Sequence, residues 1–122
     1  MRAAGGGNII NVSSILGVRP AKGLSAYAVA KAGVVQLSRV MASELAAVGI
    51  RVNTLAPGYV VTSMNREYFA TAASEVITRA IPMNRVGQVD DFDGPILFLA
   101  SKASRFMTGA TLVVDGGHTL VI

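Results

Sequence analysis

Cysteine is absent from these 122 residues, which excludes a disulfide framework and any thiolate metal site. Histidine occurs once, at His118, so a histidine-cluster metal site is excluded and a Ser-His-Asp triad is disfavoured. No metal site is expected. Charge is sparse: 15% of residues are charged against 52% hydrophobic, leaner than an ordinary monomer of this size. That balance implies apolar surface meant for a partner. The net charge of +4 comes from scattered residues, with no run of Lys or Arg, and Tyr 3 with Phe 4 are the only aromatics. Nucleic-acid binding therefore has no footprint here. No apolar stretch approaches the length of a membrane span. Met1-Arg2-Ala3-Ala4 leads into glycines rather than an apolar run, unlike a secretory signal. A soluble, cytoplasmic protein is expected.

What is present is an alternation of short β-rich runs with helical patterns. Gly5-Gly6-Gly7 is a flexible lead-in; it precedes a strand rather than following one, so it is not a phosphate cradle. Ile9, Ile10 and Val12 predict a buried strand that opens into a loop at Ser13-Ser14. Ser25 is placed as the N-cap of a long helix running to about Val48 and closed by Gly49. Residues 50–55 form a second strand, stopped by Ala56-Pro57-Gly58. One or two short helices are expected between Thr62 and Ala80, with Pro82 as an interruption. A further helix is expected from Asp90 to Ala100, burying Ile96, Leu97 and Leu99. Thr108-Gly109 then turns into a third strand, Thr111 to Val114, ended by Asp115-Gly116-Gly117. This order predicts one α/β layer with parallel strands.

The long helix carries Val34, Leu37, Met41, Leu45 and Val48 in one stripe, and Val35, Val40 and alanines widen it. A helix apolar over most of its circumference is covered on both sides. The chain is too small to cover it alone, so a helix-to-helix contact between subunits is expected. Asp90, Asp91 and Asp93 read as acidic residues at a helix start rather than a metal cluster, and His118 as a surface residue.

Tyr27 and Lys31 stand one helical turn apart, on one face. A phenol, with an unperturbed pKa of about 10, is a poor proton donor or acceptor near neutrality, and a fixed positive charge beside it favours the phenolate. A serine hydroxyl from a separate segment, such as Ser14, can hold a substrate oxygen against that phenol. The spacing alone is common in helices; its company makes it informative. I-I-N-V-S-S, Y-A-V-A-K, N-T-L-A-P-G-Y-V-V-T and T-G-A-T-L-V-V-D-G-G follow one another in the order and spacing of the short-chain dehydrogenase/reductase family, which the chain resembles from about Gly7 to Gly117.

The resemblance implies a partial Rossmann-like doubly wound fold with about three parallel strands. It implies Ser14 as the catalytic serine, Tyr27 as general acid/base, and Lys31 as the residue that lowers the tyrosine pKa and binds the nicotinamide ribose. Pro57, Gly58, Val60 and Thr62 match the family's P-G-x-x-x-T segment, which contacts the nicotinamide of NAD or NADP. Gly58 would let backbone approach the cofactor, Val60 would meet the carboxamide through its backbone, and Thr62 would act through its hydroxyl. The substrate would be a small carbonyl or alcohol. The assembly would be a homo-oligomer joined through helix 25–48 and the C-terminal strand.

The resemblance covers only the family's second half. The glycine-rich turn that seats a pyrophosphate at a helix N-terminus is not found in this sequence, nor are the residues that choose between NAD and NADP. Residues 1–122 are thus expected to be the catalytic half of the domain, inactive alone, with the dinucleotide-binding half absent. Two readings stay open: an oxidoreductase half, and a non-catalytic relative serving only as an oligomerisation partner or without function.

Overall fold

The computed structural model describes residues 1–121. Its centre is a three-stranded parallel sheet in the order β1-β2-β3, formed by Gly7–Val12, Ile50–Pro57 and Thr111–Val114. Gly7 pairs with Ile50 and Val12 with Leu55, and Thr54 to Pro57 run beside Thr111 to Val114. The expected parallel α/β layer is observed, and β3 spans the expected residues. β2 runs two residues past its expected end at Leu55 because Ala56 and Pro57 still pair with Val113 and Val114.

The helices are α1 (Ser25–Leu45), α2 (Arg66–Phe69), α3 (Glu75–Ala80) and α4 (Asp93–Ala100). Ser25 is the first helical residue of α1 rather than its cap; Leu24 occupies the cap position and supplies no side-chain bond. The helix ends at Leu45, tightens into a 3-10 turn over Ala46–Val48, and is closed by Gly49 at φ 75°. That left-handed closure is the glycine preference expected at a helix terminus.

α1 covers one face of the sheet. Ala42, Ile50 and Val52 are buried there, with Ile9, Met41, Leu45 and Val48 packed around them. The buried line of α1 itself is Val35, Ser38 and Ala42, not the larger residues of the expected stripe. Small side chains let the helix sit close to the strands, and Asn11 Nδ2 donates to Ser38 Oγ at 2.9 Å across the gap. Val29, Leu37 and Val40 are left exposed on the far side. The second face is sealed by Leu55, Phe92 and Leu99, with Ile10, Val60, Leu112 and Val114 against them. Each such side chain, fully buried, contributes roughly 1.5–3 kcal/mol.

The expected helix from Asp90 divides in two. A 3-10 turn over Val89–Phe92 carries a reciprocal cap between Gln88 and Asp91, and α4 follows. Asp91 also pairs with Arg85 at 2.7 Å, so it is engaged structurally. Of the three apolar residues expected to be buried on this helix, only Leu99 is; Ile96 and Leu97 are exposed and Phe92 takes the inner position.

Candidate functional site

The site forms where the C-terminal ends of β1 and β2 meet the start of α1. β1 delivers Ser13 and Ser14 directly after Val12. Ser13 is buried, and its Oγ donates to the carbonyl of Lys31 at 2.8 Å. The loop thereby bolts onto the second turn of α1. Gly17 permits the approach: a Cβ there would lie 2.6 Å from Ser13 Oγ and 2.7 Å from the Lys31 carbonyl oxygen.

Ser14 is turned the other way, into a cleft of about 370 Å³ that Tyr27 also lines. It caps the following 3-10 turn by accepting the Leu16 N–H at 3.2 Å. A hydroxyl that accepts there still has its own proton to donate. Lys31 Nζ donates to the carbonyl of Val12 at 3.3 Å and stands 5.7 Å from the centre of the Tyr27 ring. The carbonyl it takes is one that the sheet leaves free. Gly7 and Ser13 donate N–H bonds toward β2, so in a parallel ladder the intervening even-numbered residues turn their backbone outward.

The wall opposite comes from the segment after β2. Gly58, Tyr59, Val60 and Asn65 line it, with Ile15, Leu16 and Leu24 completing an apolar floor. Gly87 N–H donates to the Tyr59 carbonyl at 2.8 Å and Val61 N–H donates to Gly87 O at 2.9 Å, a parallel bridge between Val60 and Gly87. Asn65 holds the segment from within: its Oδ1 accepts the Thr62 N–H at 2.7 Å and its Nδ2 donates to the Val60 carbonyl at 2.9 Å. Thr62 and Pro57 are not among the residues lining the cleft. Gly58 is explained by the chain's own packing. A Cβ there would come within 2.7 Å of Asp115 Cβ and 2.8 Å of its Cα, so the glycine admits the β3 turn.

Asp115 Oδ1 accepts the Gly117 N–H at 2.9 Å and Oδ2 the Thr119 N–H at 2.7 Å. Burial raises its pKa, but the Thr119 and Gly117 donors, with the nearby His118, outweigh this and hold the carboxyl below its ordinary value. His118 is half-buried rather than on the surface: its Nδ1 is buried without a partner among the described residues, and its ring lies 5.5 Å from that of Tyr59. Among the described residues no group of His, Asp or Glu is arranged to hold a metal, and no helix is long and apolar enough to cross a membrane.

Ser14, Tyr27, Gly58 and Val60 are thus brought to one cleft, with Lys31 fixed beside Tyr27. The sequence reading missed Ser13, Gly17, Tyr59 and Asn65. Gly17 was visible as a loop glycine, but nothing local in sequence reveals that the distant Lys31 carbonyl lies against it.

The family model described as "Enoyl-(Acyl carrier protein) reductase" matches residues 1–119. The chain is 46% identical over 121 residues to the cis-4-hydroxycyclohexanecarboxylate dehydrogenase of Sinomonas cyclohexanicum, covering 99% of this chain and 48% of that protein. It is 40% identical over 117 residues to a 3-oxoacyl-(acyl-carrier-protein) reductase of Chlamydia trachomatis, covering 96% of this chain and 47% of the relative. A crystal structure of a gluconate 5-dehydrogenase from Burkholderia cenocepacia, in complex with NADP and tartrate, superposes with a TM-score of 0.93 at 41% identity, over 99% of this chain and 48% of that one. The chain spans about half the length of the relatives it matches. It belongs to the short-chain dehydrogenase/reductase family.

Proposed function

We propose that this chain is the proton-handling, substrate-facing half of an NAD(P)-dependent oxidoreductase acting on a small carbonyl or alcohol. The observation that carries this reading is the shared cleft. Ser14 and Tyr27, from different elements, line one apolar-floored hollow, and Lys31 is held against the tyrosine ring. In the reducing direction Tyr27 Oη delivers the proton to the substrate oxygen while Ser14 Oγ donates a hydrogen bond to it, stabilising the charge that develops there. Lys31, anchored on the Val12 carbonyl, keeps a positive charge beside the phenol.

A nicotinamide cofactor, when bound, supplies the hydride that no side chain can. The residues present fit one end of such a cofactor. Gly58, Tyr59 and Val60 line the same cleft as Ser14 and Tyr27, and a carbonyl such as that of Val60 retains a second lone pair for a carboxamide. They offer nothing for the phosphate end. Gly6 packs on the Gly49 carbonyl, 2.7 Å from where its Cβ would be, at the far end of the strands. Residues 1–122 therefore act as the catalytic half of a longer Rossmann-like unit, and the chain alone does not turn over.

The test has two arms. The isolated chain is assayed for NADH and NADPH oxidation with a panel of ketones. It is then assayed after fusion behind the dinucleotide-binding half of the gluconate 5-dehydrogenase. The expected outcome is no turnover alone and turnover in the fusion that drops at least about a hundredfold with Tyr27→Phe, the scale of lost acid–base catalysis. Activity in the fusion that survives Tyr27→Phe would exclude the assignment. Activity in the chain alone would exclude its dependence on a second half. A purely structural role as an oligomerisation partner predicts an inert fusion.

A further inference from the structure

Beside the cleft lies a second hollow of about 290 Å³, and the two share Ile15, Leu16 and Tyr59 as a common wall. Arg19 lines this second hollow, together with His118 from the turn after β3. Its position is fixed at both ends. The Arg19 backbone N–H donates to the Ile15 carbonyl at 2.8 Å, and Nη1 donates to the His118 carbonyl at 3.1 Å. Pro20 follows it, which disfavours the helical region for its backbone.

A guanidinium offers five N–H donors in a planar fork, and only Nη1 is engaged in the described hydrogen bonds. Among the described residues the ion pairs are Arg79 with Glu75 and Arg85 with Asp91, and no Asp or Glu lines the hollow that Arg19 enters. The carboxylate nearest in sequence to this turn, Asp115, has both oxygens committed to Gly117 and Thr119. A half-buried cation with no acid facing it among the described residues, next to an apolar wall, is a receptor for a planar anion.

We propose that Arg19 is a specificity-determining residue that binds a carboxylate of the substrate, so that the chain acts on hydroxy or oxo acids rather than neutral alcohols or ketones. The reacting oxygen lies at Ser14 and Tyr27, the intervening carbons cross Ile15, Leu16 and Tyr59, and the acid group ends on the Arg19 fork. The proposal rests on the oxidoreductase reading of the adjoining cleft.

Equilibrium dialysis of the full 122-residue chain, a measurement indifferent to its state of association, tests this with isotope-labelled 5-hydroxyhexanoate, whose three methylenes separate carbinol from carboxylate, and with its methyl ester. The acid is expected to bind at least about tenfold tighter than the ester. Arg19→Gln removes that preference and leaves ester binding within about twofold, whereas Arg19→Lys keeps a reduced preference. Equal binding of acid and ester by the unmodified chain, which needs no variant to fold, overturns the proposal. So does an acid preference that persists in Arg19→Gln. Turnover insensitive to Tyr27→Phe in the fused enzyme sinks the oxidoreductase reading without moving the acid-to-ester ratio, so the two failures are separable.

Discussion

Between the serine-bearing loop and α1 there is room at position 17 for a hydrogen and nothing larger. The atoms a methyl would strike include the Lys31 carbonyl carbon at 2.8 Å, which is helix backbone and cannot swing aside. Gly17→Ala is therefore expected to destabilise the fold by about 1–3 kcal/mol, read as a lower midpoint in urea unfolding, and to loosen the Ser13 bond that sets Ser14's direction. Asp115 is the second residue with a measurable consequence. Burial pushes its pKa up, and the donors from Thr119 and Gly117, with His118, bring it below the ordinary value on balance. A carboxyl with a depressed folded pKa contributes stability above its unfolded pKa, about 3.9. That contribution is lost as pH falls through the lower, folded value. Thermal melts should show a fall in stability below about pH 4 that is shallower in Asp115→Asn. At neutral pH the same variant leaves one of two N–H donors poorly met and costs about 1–3 kcal/mol.

Elements were legible in proportion to how local their determinants are. β3 could be read residue for residue because Gly109, at φ 75°, and the Asp115-Gly116-Gly117 turn bracket it. The helix ends were less legible. Ser25 has the chemistry of a cap, yet the chain enters the helix one residue earlier, a choice made by how the loop docks on α1. The buried face of α1 could not be taken from side-chain size, because a helix lying close on a sheet buries Ser38 and Ala42 and turns Leu37 out. Long-range polar ties were invisible as well. Asn53 looks unremarkable in I-R-V-N-T-L, yet it is fully buried, donates to Met107 O at 3.0 Å and accepts the Ala110 N–H at 3.1 Å. It fastens β2 to the loop that launches β3. Asn53→Ala strands the Ala110 N–H, while the Met107 carbonyl keeps its bond from Arg51 Nη1 at 3.2 Å, and a loss of about 1–3 kcal/mol is expected. Hydrogen exchange should then report faster exchange at β3 amides than at β1. Equal acceleration in both strands would show that Asn53 supports the fold as a whole rather than β3.

At the scale of the molecule, the apolar excess that the composition advertised is visible as two uncovered surfaces. One is the outward side of α1, where Val29 is 72% and Leu37 54% exposed. The other is β1, an edge strand in the described sheet, whose even-numbered residues turn their backbone away from β2 and whose Val12 is 54% exposed. They differ in what they invite. Helix faces meet in closed pairs, whereas an open strand edge is a template for further strands. Sedimentation velocity on the isolated chain is expected to show concentration-dependent association rather than a stable monomer. Leu37→Glu should remove the smaller, discrete species, because a charge cannot be packed against a second helix without a partner. Val12→Lys should suppress the larger, open-ended ones by placing charge on the edge. Fusion to the dinucleotide-binding half of a relative covers β1 and leaves α1 bare, so the fused protein should keep the Leu37-dependent species and lose the Val12-dependent ones. A monodisperse monomer of the unmodified chain across the accessible concentration range would show that neither surface needs a cover.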